Sequence, residues 1–320
     1  MVAKLVISLD FELMWGVRDH RTEKCYAESV LGGRKAIPEM LERFSRSGVS
    51  ATWATVGLLY ARNKHEMLDY APSSKPMYTN SNLSPYKFIQ KSVGNDEKED
   101  PLYFGRSLVD LIADTPGQEL ATHTYSHYYC LEPGQTTENF SADIDSALAI
   151  AADAGHFFKS IVFPRNQMLD EHIKCCKDKG ILCFRGNPPT YLYRPRSAKE
   201  NTLMVRGLRF LDGVFPLSQR LSYQKPVYQE GVLDVRASRF LRPWNSRLPS
   251  YSALHMLRVR AEMESAALSG GVYHLWWHPH NMGRNMQQNF AQLDGVLSTF
   301  RSLRDRYGME SVTMSQLCGS

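Results

Sequence analysis

Apolar residues fall into two rhythms along the chain. Short runs, several rich in β-branched residues, read as buried strands at 5–9, 49–56, 119–122, 160–163, 181–185, 233–235, 272–277 and 311–314. Between them apolar positions recur every three or four residues. Ile37, Met40, Leu41 and Phe44 do so before a stop at Gly48, as do Phe140, Ile144, Ala147, Leu148 and Ala151. Residues 169–178 and 253–268 follow the same spacing, and Leu293, Val296, Leu297, Phe300 and Leu303 mark a last long helix. Strand and helix alternate about seven times, which predicts a parallel sheet, open or closed into a barrel. Two stretches break the alternation. Residues 71–101 are polar, hold Pro72, Pro76 and Pro85, and end in the charged run 96–100, so they read as an insertion outside the core. Residues 188–223, with Pro188, Pro189 and Pro195, read as irregular. With no fixed-period repeat and no clear linker, residues 1–320 read as one domain.

Composition adds little to this picture. A 320-residue chain that is 43% hydrophobic and 22% charged can bury a large core without staples. Its six cysteines form no CxxC pair and read as reduced structural residues. The net charge is +5, with basic residues gathered at Arg194, Arg196, Arg206 and Arg209 and again at Arg236, Arg239 and Arg242. They make either a solvated surface or a positive rim for an anionic substrate such as a sugar phosphate, nucleotide sugar or uronic acid. No zinc-finger spacing, RNA-binding signature or long basic run is present, so nucleic acid is not an expected partner. The first apolar run stops at Asp10, too short for a signal peptide or an integral membrane segment, which predicts a cytoplasmic protein.

Chemistry gathers at the ends of the predicted strands, where barrels carry their functional groups. His123-Thr124-Tyr125-Ser126-His127 places two histidines four apart, on one face of a helical turn, so that both reach one metal ion. Two hydrogen-bonding histidines in a polar loop would leave the same letters. Asp10 and Glu12 close a buried strand, where carboxylates are costly unless paired or bound to a cation; one suits a ligand and the other a base. Arg165, after Phe163-Pro164, is placed to pair with such a carboxylate and keep it ionised. Alternation over His274, Trp276 and His278 sets them on one side of a strand, with His278 at its end beside aromatic walls.

Together these motifs resemble the polysaccharide deacetylases of carbohydrate esterase family 4, in order and over most of the chain. The resemblance implies a distorted (β/α)7 TIM-like barrel and a metal-dependent hydrolase of C–N amide bonds. The substrate would be an amino sugar carrying an N-acetyl or related N-acyl group, in the building of a surface polysaccharide such as O-antigen lipopolysaccharide or capsule. In the family's first motif two Asp residues are adjacent; here Phe11 follows Asp10, and Glu12 takes the ligand place in an Asp-x-Glu arrangement. The resemblance thus makes Glu12, His123 and His127 the ligands of one divalent ion, zinc with cobalt or nickel as substitutes. Asp10 becomes the base, Arg165 its orienting partner, and His278 the acid, with His280 as its rival. Tyr128 would offer a backbone N–H to the oxyanion, and Trp15, Trp276 and His280 would contact substrate. The family's fourth motif is not found, and Asp234 or Asp212 would stand in for it. Two other readings stay open: another C–N amide hydrolase on the same fold, and a carbohydrate-binding relic without turnover.

Overall fold

The computed structural model describes residues 2–218 and 221–319, so two positions of the 188–223 stretch lie outside the described residues. Its strands are β1 (Lys4–Phe11), β2 (Ala51–Thr55), β3 (Gln118–Thr122), β4 (Ser160–Ile161), β5 (Cys183–Phe184), β6 (Tyr228–Gln229), β7 (Val232–Asp234), β8 (Arg239–Phe240), β9 (Val272–Trp277) and β10 (Glu310–Val312). The helices are α1 (Glu23–Ser47), α2 (Lys64–Asp69), α3 (Tyr86–Ser92), α4 (Arg106–Ala113), α5 (Thr137–Asp153), α6 (Asp170–Asp178), α7 (Leu203–Leu211), α8 (Pro249–Ser269) and α9 (Met286–Tyr307).

β1 is buried at every residue after its first, so it needs neighbours on both edges and cover on both faces. β9 runs parallel along one edge from Lys4 to Leu9. The other edge is shared: β10 pairs with Lys4 to Val6, and β2 with Ser8 to Phe11. The sheet continues in the order β6-β7-β5-β4-β3-β2-β1-β9-β8, parallel apart from the β6–β7 hairpin. Closure comes from one run of chain that changes partners. Val235 and Ala237 donate backbone hydrogen bonds to Phe184 of β5 and to Gly186 beyond it, and then Ser238 and Leu241 donate to His274 and Trp276 of β9. The β7–β8 run is thus a single stave between β5 and β9, and the chain builds the distorted (β/α)7 TIM-like barrel.

The apolar stripe of α1 (Val30, Ile37, Met40, Leu41, Phe44) covers the outside of the sheet, and the helix stops at Gly48 in the left-handed conformation (φ 65°). Phe44 lies edge-on to both Trp53 and Trp277, 6.4 and 6.2 Å away, so these two tryptophans fill the layer between sheet and helix. Farther up α1, Gly32 and Gly33 let the helix touch the turn that follows β9. A Cβ at Gly32 would stand 2.1 Å from the Gly283 carbonyl oxygen, and one at Gly33 2.7 Å from the His280 Cα.

The stretch 71–101 holds a 3-10 turn (Ser81–Leu83) and α3, and its Tyr78 and Leu83 cluster with Tyr129 beside the histidine motif. In the stretch 188–223, expected to be irregular, α7 forms. Thr202 caps its N-terminus by accepting from the Val205 N–H, and none of its residues is buried, so no core contact was needed to specify it. Among the described residues, all six cysteines are free and no helix is long and apolar enough to cross a membrane.

Candidate metal centre

The site forms at the C-terminal ends of the strands. β1 delivers Asp10 and then, just past its end, Glu12; both side chains are almost fully buried. Room for the Glu12 carboxylate exists because residue 16 is glycine: a Cβ there would lie 2.0 Å from the Glu12 Cδ.

The two histidines leave β3 differently from the expected helical turn. Residues 123–127 form an irregular loop in which Thr124 (φ 64°) and His127 (φ 58°) are left-handed, a rare and costly state for a β-branched threonine. Tertiary hydrogen bonds impose it. The buried Asp143 of α5 accepts from the backbone N–H of Tyr125 (2.7 Å) and from the Ser126 hydroxyl. Gly57 and Leu58 donate to the carbonyls of Thr124 and Tyr125. Burial pushes the Asp143 carboxyl up to about 6, against the hydrogen bonds it accepts.

The loop brings both rings to Glu12. His127 Nε2 is 3.1 Å and His123 Nε2 3.4 Å from the same oxygen, Oε2, and the three donor atoms lie within 4.8 Å of one another. His123 Nδ1 is 2.7 Å from the Val162 carbonyl, to which only a protonated nitrogen can bond. In the neutral ring this leaves the Nε2 lone pair facing a carboxylate oxygen in a buried site, without a hydrogen-bond partner. Two acceptors so placed repel unless a cation lies between them. A tetrahedral ion with bonds of about 2.0–2.1 Å separates its donors by about 3.3 Å, so the residues fit such an ion. Burial outweighs Glu12 in lowering the His127 pKa, which favours the neutral, ligating ring.

Asp10 is held by an arginine other than the one expected. Arg185, directly after β5, chelates it through Nη1–Oδ1 (2.6 Å) and Nη2–Oδ2 (2.8 Å). The same guanidinium donates to Ser8 Oγ (3.1 Å) and Asn166 Oδ1 (3.0 Å) and stacks 4.1 Å over Trp276. Burial by itself would raise the Asp10 carboxyl; Arg185, helped by His123 and His278, outweighs it and holds the group below the usual range. Arg165 points elsewhere. Its backbone is left-handed (φ 54°), its Nη2 bonds Asp19 at 2.5 Å, and its guanidinium lies over Tyr129. The one signal for Arg185 in the letters is a charge directly after the apolar run 181–184, as costly there as Asp10 after its own.

His278 Nε2 lies 3.7 Å from Asp10 Oδ2 and 3.6 Å from Glu12 Oε1. Its side chain, 23% exposed, is where the otherwise buried cluster meets solvent. His280 stacks behind it at 4.9 Å, buried and pushed down to about 3 by burial and by His278. Trp276 carries the Arg185 guanidinium on its ring and is only partly buried. Trp15 is a core residue whose Nε1 donates to the Tyr103 carbonyl at 2.8 Å. The Tyr128 N–H is already spent on Thr124 Oγ1 at 2.7 Å, and its ring is buried. Asp212 belongs to a separate cluster with Arg239, Arg258 and Ser218, and Asp234 pairs with Arg236. One residue beyond Arg185, a cavity of about 700 Å³ opens, lined in part by Asn187, Tyr191, Arg194, Asp234 and Arg236.

No family model and no curated protein matches the chain. Solved structures do. A Mycobacterium smegmatis protein described as a polysaccharide deacetylase superposes with a TM-score of 0.61 at 13% identity, over 99% of this chain and 90% of that one. The Puue allantoinase gives 0.58 at 9% identity, over 99% and 89%. A GH57-type branching enzyme from Pyrococcus horikoshii gives 0.54 at 13% identity, over 100% and 70%. At these identities the shared property is the fold, which is polysaccharide-deacetylase-like.

Proposed function

We propose that the protein is a metal-dependent hydrolase that removes an N-acetyl or related N-acyl group from an amino sugar destined for a surface polysaccharide such as O-antigen or capsule. The observation that carries this reading is the buried Glu12–His123–His127 cluster beside a carboxylate, Asp10, that an arginine keeps ionised. Glu12, His123 and His127 would hold one divalent ion, with zinc favoured by the two imidazoles and carboxylate and cobalt or nickel compatible with them. In such an open three-ligand site a bound ion supplies Lewis acidity and lowers the pKa of water toward about 7.

The chain's own groups divide the proton transfers. Asp10 takes the proton of the attacking water, and Arg185 fixes both of its oxygens, so the base is ionised and cannot rotate. His278, on the open side, delivers a proton to the departing amine nitrogen. His280 packs against His278 and limits its rotation. Arg194 and Arg236 in the adjoining cavity suit an anionic extension of the sugar, such as a phosphate. The fold shared with an allantoinase favours a second reading, in which the bond cut is a cyclic amide.

The test begins with elemental analysis of wild type, His123→Ala and Asp10→Asn. About one divalent ion per chain is expected in wild type and Asp10→Asn and none in His123→Ala, with acetate release from N-acetylated amino sugars by wild type alone. A wild type that binds no zinc, cobalt or nickel would leave a carbohydrate-binding protein without turnover. Turnover of cyclic ureides in place of acetylated sugars would select the second reading.

A further inference from the structure

The segment following the cavity carries apolar residues that the fold does not use. In α7, Leu203, Met204, Leu208 and Leu211 fall within less than half of the helix circumference, and all are exposed, Leu203 at 81% and Met204 at 75%. Phe215 and Leu217, just past the helix end, are exposed as well. The helix is nevertheless anchored by its backbone and by the ring of Phe210. Arg242 donates to the Arg209 carbonyl, Arg258 and Arg239 to that of Asp212, and Tyr251 to that of Phe210, whose ring stacks on Tyr251 at 4.1 Å. The barrel therefore presents this apolar face outward on a fixed support.

Charge identifies what would cover it. Between residues 194 and 225 the chain has seven basic residues and two acidic ones, Glu200 and Asp212. Asp212 is buried and paired with arginines, and Arg196 is buried against backbone carbonyls, so neither counts toward the surface charge. Arg206 flanks the apolar face of α7, and it, Arg194 and Lys199 are exposed. A second copy of the chain meeting this face about a two-fold axis would set arginine against arginine. An exposed apolar face rimmed by cations is instead complementary to the anionic surface of a bilayer, with the side chains among the acyl boundary and the arginines at phosphate level.

We propose that α7 and the residues after it dock the protein on anionic membrane surfaces as a peripheral, non-spanning contact. α7 begins at Leu203, in the same stretch of chain that lines the cavity with Tyr191, Arg194 and Pro195. The inference concerns binding alone and does not depend on the proposed chemistry.

The experiment is flotation of the full chain with phosphatidylcholine vesicles, with and without phosphatidylglycerol, at low and high salt. Wild type is expected to float with the anionic vesicles, not with the neutral ones, and to be released by salt. Met204→Glu/Leu208→Glu should abolish flotation, and Arg206→Ala should weaken binding about fivefold. Circular dichroism checks that the variants are folded; the altered positions are exposed, so their core is untouched. Wild type and the double glutamate variant floating alike, or neither floating, would overturn the proposal. A concentration-dependent dimer that only the double variant loses, without vesicle binding, would assign the face to a second copy.

Discussion

Arg185 is the residue on which the site depends most. It is buried, it neutralises a buried carboxylate, and its four polar contacts leave that carboxylate one orientation. Removing one partner of such a pair strands the other charge, at a cost of about 3–5 kcal/mol. Arg185→Ala should therefore lower unfolding stability by that order and remove turnover, and Arg185→Lys should keep part of the stability but lose the two-pronged grip on Asp10. Arg165→Ala, which breaks a partly exposed contact to Asp19, should cost much less in both denaturant unfolding and rate. Equal effects of the two alanine variants would contradict this ranking. The pair also shows what local sequence can and cannot resolve. Glu12, His123 and His278 were legible as polar groups at the ends of apolar runs, and His127 from its spacing four residues after His123. Two neighbouring strands end in arginine, however, and only the left-handed backbone at Arg165, invisible in the letters, turns that side chain toward Asp19.

At the scale of elements, precision comes from close approach. The turn that carries His278 and His280 is seated on Gly32 and Gly33 of α1, whereas the metal ligands come from β1 and the loop after β3. Gly32→Ala should push the turn off the helix, lowering stability by about 1–3 kcal/mol and cutting turnover while metal content stays unchanged. Gly207→Ala in α7, where a Cβ meets nothing within 4 Å, is the control. Full activity in Gly32→Ala would mean that the turn does not need this seat. Strands and long helices were readable from periodicity because they bury a face. The 123–127 loop was not, since the spacing of two histidines says nothing about a carboxylate twenty residues on that reshapes the backbone. α7 was hidden for the opposite reason: prolines dominate the stretch, and no core contact marks its apolar face as structural.

For the whole molecule, buried neutral histidines set the response to acid. His172 and His255 are pushed down to about 4 and His274 to about 3, chiefly by burial. As pH falls below about 6.5 the unfolded chain takes protons that the folded protein refuses, so stability declines between about 6.5 and 4, on the order of 3 kcal/mol for each histidine by pH 4. Asp143, raised to about 6, works in the opposite sense, since it is protonated in the folded protein before it would be in the unfolded chain. Denaturant midpoints at pH 7 and pH 5 should differ clearly in wild type and less in His172→Gln; equal slopes would mean that His172 takes its proton in the folded state. The barrel itself was foreseeable from the alternation of strand and helix, but its closure by a stave that trades β5 for β9 was not, because only residues 233–235 read as a strand there. The sheet order has a further consequence, for synthesis. β1 leaves the ribosome first, yet its partners β9 and β10 are made last. Until β9 has been made, an eight-residue buried strand waits with one edge unpaired, the kind of segment chaperones recognise. Chains cut short before β9 should therefore aggregate.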